Sequence, residues 1–564
     1  MTPRIRLLRL AVYSLSLALI TCSIIGGLHG YSPVPFWDMW GGTLNFVLQF
    51  DKDPVRHLFA QHNEHRIVFS RLLFLADYQW FGGSHVSLII CNYVFATMIW
   101  AVFAHCLFRL NSVDTRKADL WLLSAILGAW LMLWAQEMNF TWAFQSQFFL
   151  AQLLPLLAFL SLGQASFHPK SWNPWFIAAL VLGGLSPLSM ANGLLVLLFL
   201  TIAAGVLRMK KRQIAVLGLC TAIAMSLYLA DYQHPPAHGS VLASVAQHPL
   251  ATLQFTFRYL GNPGPYLAGP FGITKLFSML VGVTLSMVTA CLVIRALWVR
   301  PLHPVSIGLI LFIVFVGAGA FLTAGGRLAI SPESAFSSRY TTPVLMAWAA
   351  LFCIASPAML RYHRTSERAA LQMLSAAILG LCLLIPSQVR ALIPAHADNH
   401  QKAVAALALE MRVADDTMVS RIYPNTQTAL AIARMASAED LGIFGRDEYR
   451  GHFERLGHHH ATSDAKPCAG RFEQYEIIDS DPDFLRVTGW QFHRDQSRQA
   501  RHVLILNEEH LIVGVALSGR ASPELVDAYG HRAKLSGFTG YVRRPSIKDR
   551  LTLISGNCRS EHAF

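Results

Sequence analysis

Apolar residues in the first 390 positions of the chain form long runs, which short polar connections separate. A helix that crosses a bilayer needs roughly 20 apolar residues, and the pattern predicts about 11 such spans. The predicted spans cover residues 10–28, 85–108, 120–135, 148–162, two segments within 175–207, 214–229, 271–298, 305–323, 341–360 and 369–385. The pair within 175–207 is divided at the sequence LSMANG. The pattern therefore predicts a polytopic α-helical membrane protein.

The composition agrees with this class of protein. Charged residues make up 14% of the chain, whereas soluble domains carry about a quarter. The formal net charge is +13, and the Lys and Arg clusters fall at alternate connections, the densest at 208–212. The positive-inside rule then predicts a cytoplasmic N-terminus and external long loops, in a bacterial inner (plasma) membrane. No basic stripe is interleaved with aromatic residues, so a nucleic acid is not an expected partner.

Beyond residue 390 the composition changes. We predict three regions: a transmembrane domain over 1–390 with an external first loop at 31–77, a helical connecting region over 391–465, and a β-rich region over 466–564. Short β-rich runs broken by Gly, Pro and Asn predict a small antiparallel sandwich in an external soluble C-terminal domain. Cys468 and Cys558 bracket this sandwich and could form a disulfide in an oxidising compartment.

The first loop carries the first candidate for chemistry. Asp38 lies in the sequence FWDMW, about ten residues beyond the first span. A carboxylate at the membrane face can deprotonate an acceptor hydroxyl or hold a cation. The alternative is an interfacial loop whose Trp residues anchor it and whose Asp caps a helix.

The same loop continues into a dense polar cluster, QHNEHR, which includes His62, Glu64, His65 and Arg66. The H-x-E-H spacing fits neither zinc-peptidase motif. Two histidines at i, i+3 could still hold a divalent cation, although we assign no metal ligand. We interpret Glu64 and Arg66 as a carboxylate and a phosphate-binding cation of one site, because the Arg fork donates two hydrogen bonds. The alternative is a solvated interfacial cluster.

The second predicted external loop, at 136–147, combines Glu137 with Trp142 and Gln145. A carboxylate near the membrane is costly to bury and is often functional. The aromatic residues could stack on a sugar ring, or they could belong to the interfacial aromatic belt.

The last predicted external loop contains Arg327, Arg339 and Tyr340. Arg339 precedes a span, where its guanidinium could face a lipid phosphate. The alternative is an Arg that extends to the interface from a helix end.

Two short motifs and the topology resemble the GT-C superfamily of polytopic glycosyltransferases. The motifs are FWDMW after the first span and SSRYTTP at the start of a late span, and a soluble external C-terminal region follows. The resemblance implies transfer of a sugar from a polyprenyl-phosphate donor to a cell-surface glycan or lipid-linked acceptor. It assigns the catalytic carboxylate to Asp38 and a donor-phosphate contact to Arg339. The adjacent carboxylate pair of many members is absent, so Glu64 or Glu137 could supply the second carboxylate.

These expectations combine into one mechanism and two alternatives. In an inverting transfer, Asp38 would take the acceptor proton, while Arg339 and Arg66 would stabilise the leaving phosphate. A transporter (flippase) of a polyprenyl-linked glycan is the first alternative, since the LSMANG break is typical of broken transporter helices. A non-catalytic membrane scaffold is the second. The spans hold few charges while the acids lie in external loops, which favours surface chemistry.

Overall fold

The computed structural model describes residues 2–111, 115–235, 239–268, 274–299, 302–461, 465–492, 501–544 and 550–562. The chain divides into two compact units. Unit 1 comprises Met1–Leu28, Leu58–Leu72 and Leu88–Ile393, and unit 2 comprises His29–His57, Leu73–Ser87 and Pro394–Phe564. The first loop of the sequence analysis is therefore shared between the units.

Helices account for the chain up to residue 393. They are α1 Pro3–Gly30, α2 Asn45–Phe50, α3 Pro54–Phe59, α4 Val68–Phe81, α5 Val86–Leu110, α6 Lys117–Leu131, α7 Glu137–Thr141, α8 Ser146–Ala165, α9 Pro174–Leu185, α10 Leu194–Val206, α11 Lys211–Leu229, α12 Val241–Gln247, α13 Pro249–Leu260, α14 Gly264–Ala268, α15 Thr274–Trp298, α16 Pro304–Arg327, α17 Thr341–His363 and α18 Glu367–Gln388. Short 3₁₀ turns join several of them.

Nine helical segments among the described residues are long and apolar enough to cross a membrane. They lie at α1, α5, α6 with α7, α8, α11, α15, α16, α17 and α18. Two shorter apolar segments, Pro174–Leu188 and Ala191–Val206, occupy the divided run 175–207. The protein is thus a multi-pass helical membrane protein with a C-terminal strand region, while the count of eleven spans stays a prediction.

Glycine permits a close helix crossing in unit 1, where α8 packs against α16. A Cβ on Gly163 would lie 2.2 Å from the carbonyl oxygen of Pro304, and one on Gly308 would lie 2.6 Å from the Cα of Leu160. Helices in membranes associate through small residues of this kind, because lipid provides no hydrophobic drive between apolar helices.

Unit 2 buries part of the first loop in the same core as the chain beyond residue 393. Its C-terminal helices are α19 His396–Glu410, α20 Asp416–Val419, α21 Thr426–Ala438, α22 His452–Arg455 and α23 Val526–Tyr529. Trp40 is fully buried in this core, with its ring 6.4 Å from that of Phe444. The Trp37 backbone N–H donates to the Ile422 carbonyl at 2.7 Å. Trp40 is therefore a core residue of unit 2 and not a belt aromatic.

The strand region of unit 2 forms one eight-stranded sheet. Its strands are β1 Lys466–Pro467, β2 Ala469–Ile477, β3 Phe484–Phe492, β4 His502–Leu506, β5 Ile512–Arg520, β6 Gly537–Arg543, β7 Leu551–Ser555 and β8 Cys558–His562. The order of the described strands is β1-β8-β7-β4-β5-β6-β3-β2, and among them only β1 and β8 pair in parallel. The hydrogen bonds thus join all the described strands into one continuous sheet, whereas a sandwich predicts two layers.

Alternating side chains bury both faces of this sheet. Leu504 and Leu506 of β4 belong to the core shared with α19 and α21, whereas Val503 and Ile505 belong to a second cluster on the other face. The period of two follows from strand geometry. The ends of the sheet approach each other, since the Gln491 amide of β3 donates to a carbonyl of β7 at 3.0 Å.

A disulfide bond joins Cys468 to Cys558, whose Cα atoms are 5.6 Å apart. It connects the residue before β2 to the first residue of β8, near the two ends of the sheet.

Candidate functional site

A tight turn in unit 1 presents the polar cluster of the first loop. His62 and His65 exchange two backbone hydrogen bonds, of 2.8 and 2.9 Å, across the two residues between them. Asn63 has a φ of 50°, in the left-handed region that Asn tolerates better than most residues. The turn brings both histidines to one end and holds Glu64 beside them.

Arg66 anchors this turn to α11. Its guanidinium donates to the Phe59 carbonyl at 2.6 Å and to the Tyr228 carbonyl at 3.2 Å, and it pairs with Asp231. The same guanidinium lies 5.3 Å from the centre of the Tyr228 ring. Several of its donors therefore already have partners within the protein, although the sequence had suggested phosphate as the partner.

The Glu64 carboxylate lies between a guanidinium and an imidazole. Its Oε1 is 3.0 Å from a guanidinium nitrogen of Arg327, at the end of α16, and 3.6 Å from Nε2 of His65. The side chains of Glu64 and Arg327 are 25% and 20% exposed, so both are largely shielded from solvent. The structure therefore brings together two predicted site residues that are distant in sequence.

His65 is neutral at physiological pH. Burial lowers its pKa from 6.5 to about 4, against the opposing attraction of Glu64. Its Nδ1 accepts a hydrogen bond from the Ala191 backbone N–H at 3.2 Å, which places the proton of the neutral ring on Nε2. The ring thus directs an N–H towards Glu64.

Arg339 supplies a guanidinium that no carboxylate pairs with among the described residues. Its Nε is buried and has no hydrogen-bond partner there, and the group lies 5.2 Å from the centre of the Tyr340 ring. Tyr340 in turn stacks on Tyr259, with ring centres 4.9 Å apart. Burial lowers the pKa of His65 most. His62 and Arg327 lower it further by electrostatic repulsion, and Arg339 makes the smallest contribution. Its guanidinium is thus suited to binding an anion.

Two buried amides hold the backbone that carries Arg339. The Asn139 side chain donates to the Arg339 carbonyl at 3.0 Å and to the Thr342 hydroxyl at 2.6 Å. The Asn262 side chain donates to the Ser337 carbonyl at 2.9 Å. Neither Asn139 nor Asn262 is exposed. Asn262 could not be predicted from the sequence, because one Asn in an aromatic segment carries no signal of a partner 75 positions away.

The second predicted loop contributes buried aromatic residues. The ring centres of His62 and Phe144 are 5.2 Å apart, and those of Phe144 and Trp142 are 5.9 Å apart. Trp142 is only 7% exposed, and Gln145 is fully buried with both amide atoms unpartnered among the described residues. In this conformation Trp142 packs in the interior and presents little surface for a sugar.

The other two predicted carboxylates lie elsewhere. Glu137 is exposed at the start of α7 and lies in the electrostatic field of Arg390. Asp38 belongs to unit 2, where it follows Trp37, whose φ is 48°. Burial raises the pKa of Tyr423, and the negative charge of Asp38 raises that pKa further.

No group of three or more His, Cys, Asp and Glu among the described residues is placed to hold a metal ion.

Comparison of the sequence with protein-family models and with curated proteins finds no match. The observations therefore define a class, a multi-pass helical membrane protein with a C-terminal sheet and a polar cluster at the ends of its apolar helices.

Proposed function

We propose that the protein is an integral membrane glycosyltransferase that resembles GT-C enzymes and transfers a sugar from a polyprenyl-phosphate donor. The acceptor is a cell-surface glycan or a lipid-linked saccharide. The observation that carries the proposal is Arg339, a guanidinium without a carboxylate partner among the described residues, which acts electrostatically on the His65 that faces Glu64. An unpaired, largely shielded guanidinium is a strong site for a phosphate group.

A lipid-linked donor accounts for the location of this cluster. Arg327 ends one apolar helix and Arg339 immediately precedes another. The isoprenoid tail would remain in the bilayer, and the phosphate would meet the guanidinium groups at its edge. Arg339 would stabilise the charge that develops on the leaving phosphate. Arg66 contributes indirectly, by holding the turn, because its donors are engaged by Phe59, Tyr228 and Asp231.

The proton of the acceptor hydroxyl requires a base. Glu64 is supported by its geometry, since Arg327 orients its carboxylate and His65 directs an N–H towards it. The resemblance favours Asp38, whose place in FWDMW matches the family pattern. We propose Glu64 as the base and keep Asp38 as the competing assignment. Substitution of each by its amide distinguishes them, because the amide keeps the shape and removes the basicity.

We extend the proposal to the number of membrane spans and to their orientation. Nine long segments and two shorter ones, Pro174–Leu188 and Ala191–Val206, would make eleven spans. Within this proposal the protein lies in a bacterial inner membrane, and the positive-inside rule predicts a cytoplasmic N-terminus and a periplasmic sheet region. There the sheet would form a sandwich-like domain that binds the acceptor.

One observation favours the second candidate, a transporter of a polyprenyl-linked glycan. The apolar run 175–207 is broken by two 3₁₀ turns, Ser186–Leu188 and Ala191–Gly193. The backbone N–H of Ala191 at this break donates to His65 of the cluster. Broken helices at a polar site are typical of transporters.

Analysis of cell-surface glycans tests the proposal. Cells that lack the protein should lose one sugar from a surface glycan, and wild-type protein should restore it. Arg339→Gln should fail to restore it, whereas Lys275→Gln, which removes an exposed cation paired with Glu333, should succeed. Accumulation of the complete lipid-linked glycan inside the membrane, with no sugar missing, would favour the transporter.

A further inference from the structure

A slot in unit 1 lies far from the proposed catalytic cluster. It has a volume of about 290 Å³ and lies between α6, α17 and α18. Its walls are mostly apolar, and they include Leu122, Ile126, Phe352, Met359 and Ala376. Ala376 is exposed, so the slot opens on the surface of the helical unit. An apolar chain could enter it from the side.

The polar end of the slot is built around a buried ion pair. Asp119 and His363 line this end, and Arg9 of α1 pairs with Asp119. Arg9 and Asp119 are both largely buried, with side-chain exposures of 10% and 6%. Because Arg9 neutralises the charge of Asp119, this carboxylate repels an anion less than an unpaired carboxylate would.

Positive charge surrounds this end. Arg116 is the residue before α6, three positions from Asp119, and Arg364 directly follows His363 at the end of α17; both side chains are exposed. The sequences of 116–119 and 361–368 together carry five Lys or Arg residues and two Asp or Glu residues. The mouth of the slot is therefore cationic, while its walls are apolar.

The slot is separate from the Arg339 cluster. Arg339 immediately precedes the first turn of α17, whereas His363 ends the same helix. A helix of 23 residues is roughly 35 Å long at 1.5 Å per residue. The two features therefore lie at opposite ends of one apolar helix, and a donor at Arg339 would not occupy the slot with its phosphate.

We propose that this slot binds an anionic phospholipid of the bilayer. One acyl chain lies along the apolar walls, and the phosphate lies at the rim between Arg116 and Arg364. Basic pockets between membrane helices recognise anionic headgroups in this way. A zwitterionic lipid offers the same chains but no net negative charge, so the cationic rim selects against it.

Native mass spectrometry of the full-length protein tests the proposal, with phosphatidylglycerol and phosphatidylcholine as probes. The wild type should bind phosphatidylglycerol about thirtyfold more tightly, because two basic residues at the mouth each favour the anionic headgroup. The double variant Arg116→Gln/Arg364→Gln should lose this preference. The matched variant Lys211→Gln/Arg212→Gln removes two exposed cations at the start of α11 and should keep it.

A second variant tests the slot itself. Ala376→Phe fills the apolar space without changing charge, and it should weaken the binding of both lipids. Monodisperse elution and an unchanged helical circular dichroism spectrum show that each variant is folded. Equal affinity of the wild type for the two lipids, or a preference that survives the Arg116/Arg364 substitutions, would overturn the proposal.

Discussion

Glu64 and Arg327 are 263 positions apart in sequence, yet their side chains meet at 3.0 Å. The contact joins the tight turn of the first loop to the end of α16. Arg327 and His65 both approach the same oxygen of Glu64, Oε1, at 3.0 and 3.6 Å. This contact orients the carboxylate that we propose as the base.

A double-mutant cycle measures this contact. The pair is partly shielded, so we expect a coupling free energy of about 1 kcal/mol between Glu64→Gln and Arg327→Gln. The Lys275–Glu333 pair, with exposures of 64% and 54%, is the matched control and should couple more weakly. Thermal unfolding of the full-length variants in detergent checks this prediction. Equal coupling in the two pairs would show that shielding does not strengthen the Glu64 contact.

Arg339→Gln should weaken the binding of a polyprenyl phosphate by about tenfold to a hundredfold, the value of a charge-assisted hydrogen bond. It should leave stability nearly unchanged, because no carboxylate among the described residues loses its partner. Arg339→Lys should retain part of the affinity, since it keeps the charge but loses the planar fork. Titration of the purified full-length variants with the lipid measures these affinities. Wild-type affinity in Arg339→Gln would remove this residue from the donor site.

Glu410 should make the protein less stable as the pH rises. It is 2% exposed, and burial raises its pKa from 4.5 to about 7. Its contribution is fully present below pH 4.5, where the group is protonated in both states, and it is lost as the pH rises through 7. Glu410→Gln should remove up to about 3 kcal/mol of this pH dependence.

Melting temperatures of the full-length protein at pH 5 and pH 8 check the Glu410 prediction. The difference between the two should shrink in Glu410→Gln. Glu509→Gln, at an exposed side chain of the same unit that is not among the groups acting on Glu410, is the control and should behave like the wild type. Identical profiles for the wild type and Glu410→Gln would exclude Glu410 as the cause.

The disulfide should stabilise the sheet region. It closes a loop across a sequence separation of 90, and the double substitution Cys468→Ser/Cys558→Ser should cost about 2–4 kcal/mol. Cys291→Ser, at an exposed free cysteine, should cost little. Alkylation of the denatured, unreduced protein should modify the seven free cysteines, and modification of all nine would contradict the bond.

The apolar helices could be predicted from the sequence because a span of roughly 20 residues is a local signal. The predicted runs at 214–229 and 305–323 correspond to α11 and α16. The strand runs were also local, since alternation has a period of two. The order of the strands in the sheet could not be predicted, because pairs such as β3 with β6 depend on contacts between distant segments.

For the candidate site, the sequence predicts which residues take part but not which of them are in contact. Glu64 and Arg327 were both candidates, but nothing local indicates that they meet. Arg66 shows the limit most clearly. Its chemistry suits a phosphate, yet the fold brings the Tyr228 carbonyl and Asp231 within reach of it, more than 160 positions away. A buried Arg satisfies its donors with whatever acceptors the tertiary structure supplies.

Sugar transfer by the purified full-length protein tests the central claim most directly. A labelled polyprenyl-phosphate sugar is supplied with the surface glycan that changes in cells lacking the protein. The wild type should transfer the label, and Glu64→Gln should be slower by at least about a hundredfold, as expected for loss of a general base. Asp38→Asn, assayed in parallel, should retain transfer. Transfer by Glu64→Gln at the wild-type rate would contradict the account.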